Sequence, residues 1–189
     1  MSLFKQEPKT FNTFTIRPLE LSDYHKNYLS VLEKLTGVGN ISFENFQKTF
    51  EKMKFSELHY IFVACTNGTN DTNSKIIGTG TLGIEQKFIR DCALKGRVED
   101  LISLETEFTK RSEVDQRIME AILEKASELG CYKISLESID NHLGFYEGFG
   151  FVVDKEIEMA NRHVEVGDDT EKRFEKDLKN HGNQSAGVQ

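Results

Sequence analysis

The chain has 189 residues, 38% of them hydrophobic and 29% charged, with a formal net charge of −7 and a pI near 5.3. That size bounds it to one globular domain with frayed ends, and the acidic balance excludes a general nucleic-acid binder, whose electrostatic footprint is a basic surface. Apolar runs such as 60–65 are far too short for a membrane span, and the start lacks the basic-then-apolar layout of a signal peptide, so a soluble, cytoplasmic protein is expected.

Residues 1–12 are mostly polar and are expected to form a loose arm. Phe14-Thr-Ile-Arg-Pro alternates apolar and polar residues, a strand that Pro18 stops. Ser22 or Asp23 is placed to cap a helix with Tyr24, Tyr28, Leu32 and Leu35 on one face, which Gly37 and Gly39 break. Ser42 is placed to cap a second helix, with Phe43, Phe46, Phe50 and Met53 along its apolar side. Residues 59–66 and 75–84 read as a hairpin around a turn made of Asn, Gly, Thr, Asp and Ser.

Residues 96–103 read as a strand carrying adjacent carboxylates, Glu99 and Asp100. A polar loop then leads into a helix, because Val114, Ile118, Ile122, Ala126 and Leu129 recur at steps of four and three, and Gly130 closes it. A strand over 132–138, a short helix over 141–147 and a strand over 151–159 follow. Beyond Val164 the composition turns to Asp, Glu, Lys and Asn, a tail expected to be disordered over 164–189. This order fits an α/β domain with a mixed sheet over 13–163. The cysteines, Cys65, Cys92 and Cys131, are odd in number and widely spaced, which suggests neither a disulfide framework nor a metal site. Gly78-Thr-Gly80 and Gly148-Phe-Gly150 are too isolated to read as phosphate loops.

Five segments together resemble the glucosamine 6-phosphate N-acetyltransferases of the GNAT superfamily, over roughly residues 15–163: Leu35-Thr-Gly-Val-Gly39, Lys87-Phe-Ile-Arg-Asp-Cys92, Gly96-Arg-Val-Glu-Asp100, Gly130-Cys-Tyr-Lys-Ile134 and Gly144-Phe-Tyr-Glu-Gly-Phe-Gly-Phe151. The resemblance implies the GNAT fold, a mixed central sheet flanked by helices and splayed to admit acetyl-CoA. It also implies a homodimer whose sites borrow residues across the interface, and acetylation of an amino-sugar phosphate on the route to UDP-N-acetylglucosamine.

Acetyl transfer needs a neutral amine beside a thioester, donors for the carbonyl oxygen as it becomes an oxyanion, and a proton for the departing thiolate. By the resemblance, Glu99 and Asp100 hold the sugar amine and hydroxyls, directly or through water as the base, and Glu137 reaches the sugar in the partner's site. Tyr146 matches the tyrosine that protonates or orients the coenzyme A sulfur, a role suited to a phenol, which is a neutral donor at pH 7. Thr36, Lys87, Arg90, Tyr132, Lys133 and Arg162 fall at or beside the sugar-phosphate positions, where cations and donors are needed. Leu101, Ile102, Ser103, Arg111, Ser112, Glu113, Val114, Asp115, Gln116 and His142 fall at the coenzyme positions. Read without the resemblance, Glu99 and Asp100 also fit a strand-end salt bridge with Arg97 or Lys95, and Tyr146 a core aromatic beside Phe145 and Phe149.

One segment departs from the pattern. The superfamily's pyrophosphate loop reads Arg or Gln, two residues, Gly, one residue, Gly or Ala, so that backbone NH groups close on the phosphates. Here Arg111-Ser-Glu-Val-Asp-Gln-Arg117 has no glycine. Ser112 with Asp115 three residues on forms a capping-box pattern, expected to consume the helix's own N-terminal donors. Glu113 and Asp115 oppose a pyrophosphate, each close like-charge pair costing roughly 2 to 4 kcal/mol at an effective dielectric near 20. Arg90 stands where histidine is common, and His142 where asparagine is. Two readings therefore stand: an active N-acetyltransferase with a remodelled coenzyme loop, and a catalytically weak paralogue serving as a sugar-phosphate-binding or regulatory subunit.

Overall fold

The computed structural model describes residues 7–67, 74–138 and 140–154. Strand β2, Phe14–Pro18, turns Phe14 and Ile16 into the core and ends at its proline. The preceding arm is tied down in part: β1, Lys9–Thr10, pairs antiparallel with β2, and the Phe11 ring stacks on Phe14 with centroids 5.1 Å apart. The helix expected from Ser22 or Asp23 is two shorter pieces, a 3-10 turn, Leu21–His25, and α1, Tyr28–Leu32, separated by Asn27 at φ 72°. Asp23 fixes the first turn. Its carboxylate accepts the Glu20 N–H at 2.8 Å and takes both Arg17 Nη atoms at 2.7 Å. Helix α2, Phe43–Ser56, starts as read, with the Ser42 hydroxyl accepting the Asn45 N–H at 3.2 Å.

Strands β3, His59–Thr66, β4, Ile76–Gln86, and β5, Leu94–Ser103, continue the antiparallel sheet, and β6, Cys131–Ser135, adds to β5 in parallel. Strand order is sequential from β1 to β6. A parallel neighbour requires a crossover, and α4, Arg111–Glu128, supplies it. Val114, Ile118, Met119, Ala121, Ile122 and Ala126 of α4 are buried, against β3, β4 and β5. Tyr28, Val31 and Phe46 form a second cluster with Val63, Cys65, Ile76 and Ile102. Gly130, at φ 74°, ends α4 as the sequence predicts. Between β4 and β5 lies the short turn α3, Ile89–Cys92, in which Arg90 and Asp91 are left-handed.

The chain divides into two compact units, Met1–Glu137 and Ser138–Gln189. In the second, a 3-10 turn, Asp140–His142, leads into α5, Leu143–Glu147. Residues 151–154 form no strand; the rest of the strand expected to 159, Arg162 and the charged tail lie outside the described residues. Among the described residues, no helix is long and apolar enough to cross a membrane.

Candidate active site

Side chains of partnered residues in a sheet share a face, so register alone assembles the site. Three rows cross β4, β5 and β6. Glu85 pairs with Lys95 and Lys95 with Lys133; Gly83 pairs with Arg97 and Arg97 with Ser135; Thr81 pairs with Glu99. Glu137, two residues past Ser135, extends the third row. The face therefore grades from cationic at one end to anionic at the other. Lys95 and Glu99, four residues apart, are separated by roughly 13 Å along an extended strand.

At the cationic end Lys87 ion-pairs with Glu85, and Lys95 reaches the same carboxylate at 3.4 Å. The hydrogen bond from Lys87 holds the Glu85 carboxyl below its usual range, with Lys95 adding to the effect. Lys87 and Lys133, both named by the resemblance for the sugar phosphate, are thus brought into or beside one row with Lys95, which that expectation omitted. Arg90 and Tyr132 pair with one another instead, the guanidinium lying 4.8 Å from the ring centroid. Thr36 lies in the loop between α1 and α2, its N–H bonded to Leu32 O at 3.4 Å.

At the anionic end the sheet breaks its own alternation. Thr81 pairs with Glu99 but Thr79 pairs with Ile102, so two residues of β5, Asp100 and Leu101, oppose Gly80 alone. This is a β-bulge, and Asp100 takes a left-handed φ of 53° to make it. Neighbouring carboxylates in a regular strand point to opposite faces; here Glu99 and Asp100 are both exposed. Although Asp100 is exposed as a whole, partial loss of hydration at its carboxylate raises its pKa. The same charge helps to lift the phenol of buried Tyr28, which burial chiefly pushes up to about 12. Glu99 does form the salt bridge open to it from the sequence: Arg97 Nε lies 3.3 Å from Glu99 Oε1, and Arg97 Nη2 also pairs with Glu137.

The coenzyme positions sit where β5 outruns β6. The two strands pair only from Leu94 to Arg97 on β5, so the edge of β5 beyond Val98 has no strand beside it among the described residues. Ile102 and Ser103 are buried, and Leu101 lies under Gly80. Ser103 donates its hydroxyl to Arg111 O at 3.2 Å, fastening the end of β5 to the start of α4.

Ser112 does not cap this helix. Helix α4 begins at Arg111, two residues earlier than the capping box requires, with Lys110 as N-cap and no side-chain cap. Ser112 is thereby inside the first turn, and Asp115 lies 3.6 Å from Arg111 Nε instead. Glu113 and Val114 donate their N–H groups to Lys110 O, while those of Arg111 and Ser112 have no acceptor within the helix. The Val114 side chain is fully buried. Gln116 bonds Glu120 at 3.0 Å.

In the second unit, Tyr146 stands in an aromatic group with Phe145 and Phe151, centroids 5.1 and 6.2 Å away. His142 is exposed at the start of α5. A separate cavity of about 390 Å³, lined by Arg17, Leu19, Phe50, Met53, Tyr60 and Lys125 among others, takes no residue from the graded face. What sequence reading missed at the site is Glu85, Lys95 and Ser135 as partners in the rows. For Lys95 the available signal was spacing: it continues the alternation of Arg97 and Glu99 one residue before the start expected for that strand, and β5 does begin at Leu94.

A mixed sheet flanked by helices, with a parallel strand pair joined through a crossover helix, is the architecture of the GNAT acetyltransferases. A "predicted acetyltransferase" from Clostridium acetobutylicum, solved with acetyl-CoA, shares this fold at 14% identity and a TM-score of 0.57, covering 78% of this chain and 96% of that one. The crystal structure of glucosamine-6-phosphate N-acetyltransferase from Arabidopsis thaliana matches with a TM-score of 0.69 and 31% identity, over 81% of this chain and 100% of that one. In sequence, the chain is 33% identical to the Arabidopsis thaliana glucosamine 6-phosphate N-acetyltransferase over 150 residues, 78% of this chain and 95% of that protein. A Drosophila melanogaster protein named "Probable glucosamine 6-phosphate N-acetyltransferase" is 38% identical over 137 residues, which are 72% of this chain but 60% of the fly protein. No family model matches the chain. The chain belongs to the glucosamine 6-phosphate N-acetyltransferase family.

Proposed function

We propose that this chain transfers the acetyl group of acetyl-CoA to the amine of glucosamine 6-phosphate. The amine nitrogen attacks the thioester carbonyl, the carbon–sulfur bond breaks, the nitrogen loses a proton and the coenzyme leaves as its thiol. Glu99 and Asp100 hold the amine and take the proton, directly or through water. Asp100 suits the latter because a raised pKa brings a carboxylate nearer to a working base. Tyr146 is assigned the proton for the sulfur. Acetyl-CoA is taken at the free edge of β5 and the start of α4, with Lys110 and Arg111 nearest its phosphates. A homodimer, in which Glu137 and Arg162 serve the partner's site, and a cytoplasmic role in making UDP-N-acetylglucosamine complete the assignment.

The observation that carries this reading is the graded face. A phosphate at the end with Lys87, Lys95 and Lys133 and an amine at the end with Glu99 and Asp100 match a substrate that is anionic at one end and basic at the other. Coenzyme A release should therefore depend on the phosphate: kcat/KM for glucosamine 6-phosphate should exceed that for glucosamine by at least about 100-fold, the worth of two charge-assisted contacts. Lys87→Met should erase much of that preference while leaving glucosamine itself unaffected. Equal rates with the two sugars would overturn the assignment.

The second reading, a weak paralogue that binds sugar phosphate, rests on the missing glycines of Arg111–Arg117. It loses one of its grounds, because Ser112 does not occupy the helix donors. Calorimetry with acetyl-CoA separates the two: micromolar binding supports the enzyme, and no heat at millimolar ligand supports the binding subunit.

A further inference from the structure

We infer that Arg97 is a positioning residue that holds Glu99, at the amine end of the face, and the neighbouring Glu137 at one spacing. The inference rests on the acetyltransferase reading above. Backbone geometry places Arg97 there before any side chain is considered. It lies two residues from Glu99 on the same face of β5, and it is the registered partner of Ser135, itself two residues before Glu137. Its neighbours across the row are a glycine and a serine, Gly83 and Ser135, so the broad guanidinium has room between them.

The side chain uses that room. Nε lies 3.3 Å from Glu99 Oε1, and Nη2 pairs with Glu137 Oε1. Each carboxylate takes one nitrogen of the fork, so one cation draws together an anion of β5 and one of the segment that follows β6. Without it, two like charges on one face repel and turn outward. A lysine cannot substitute fully, since an ammonium is a point charge without the planar fork. Glu99 and Glu137 enter the resemblance as groups that reach the sugar from opposite subunits. Arg97 ties the Glu99 and Glu137 of one chain together, so that neither carboxylate can turn away without losing its ion-pair partner.

Steady-state kinetics of the full chain with glucosamine 6-phosphate and acetyl-CoA test this. Arg97→Gln should raise KM for the sugar phosphate about tenfold, with KM for acetyl-CoA within twofold of wild type, and Arg97→Lys should recover only part of the loss. In a Glu137→Gln background the further loss on Arg97→Gln should shrink to about twofold, since the pair is already broken. Melting temperatures monitor folding, and the lysine variant and Glu137→Gln keep the test open should Arg97→Gln not fold. Unchanged sugar KM in Arg97→Gln, or losses that simply multiply in the double variant, would overturn the positioning role alone. A wild-type chain that neither acetylates nor binds glucosamine 6-phosphate would instead overturn the functional reading on which it rests.

Discussion

Asp100 is assigned a base's role in the proposed function, and its conformation bears on that assignment. It is the extra residue of a bulge, held at φ 53°, a region that Asp and Asn enter more readily than most residues. That conformation puts two consecutive carboxylates at the surface and partly dehydrates one of them. A carboxylate whose folded pKa is raised is destabilised in its charged form, so it favours folding only while protonated, and that contribution is lost as pH rises through the folded pKa. Asp100→Asn keeps the backbone preference and removes the charge. The variant should therefore melt higher than wild type at pH 7, and the difference should close as pH falls below the ordinary aspartate pKa of about 3.9, where both states of the wild type are neutral. Acetyl transfer should fall at the same time by about 100-fold or more, the usual worth of a general base. A variant that melts lower at pH 7 would contradict the dehydration argument. The adjacent pair Glu99 and Asp100 was legible in the sequence, but the bulge was not, because no glycine announces it. Ser112 misled for the opposite reason: its spacing to Asp115 is that of a capping box, yet the helix starts two residues too early for it.

Elements with a long period were legible and short ones were not. Helix α4 repeats its apolar stripe over 18 residues, and Ser42 marks the start of α2 as a cap should. By contrast β1 has two residues, too few for any alternation, and the break at Asn27 between the 3-10 turn and α1 has no glycine or proline to mark it. The glycines of β4 show how packing settles what sequence leaves open. The glycines of Gly78-Thr-Gly80 are packed against α4 and β5: a Cβ on Gly78 would lie 2.7 Å from Val114 Cγ1 and 3.0 Å from Ser103 Cβ, and one on Gly80 2.7 Å from Ile118 Cγ2. These glycines let α4 lie close on the sheet. Gly83, on the open face, would meet nothing nearer than Glu99 Oε2 at 3.6 Å. Gly78→Ala should accordingly lose about 1 to 3 kcal/mol in urea unfolding, as overpacking does, while Gly83→Ala stays within about 0.5 kcal/mol of wild type. Equal effects at the two positions would remove the case that α4 sets the glycine requirement. The buried side chain of Val114 also means that restoring a glycine-rich coenzyme loop at that position would open a cavity in the core.

At the scale of the molecule, the proposed function asks a chain with net charge −7 to gather an anionic sugar phosphate against its own average field. The sheet sets three lysines in and beside one row, where Glu85 is the one acid, and Glu99 two rows away, so on that reading local charge rather than net charge decides where each end of the substrate goes. Distance then makes a quantitative statement. Sites more than about 7 to 10 Å apart with no shared partner act additively, to within about 0.5 kcal/mol, whereas contacting residues do not. Lys95 and Glu99 stand roughly 13 Å apart along β5, and their ion-pair partners differ, Glu85 for one and Arg97 for the other. Lys95→Met and Glu99→Gln should therefore each lower kcat/KM for glucosamine 6-phosphate, and the double variant should lose the product of the two factors. The same cycle run with glucosamine should show the Glu99 effect nearly intact and the Lys95 effect gone, since only the phosphate touches the lysine row. Strong coupling between the two positions would mean that the substrate does not lie along the strand, and the polarity of the face would then need another explanation.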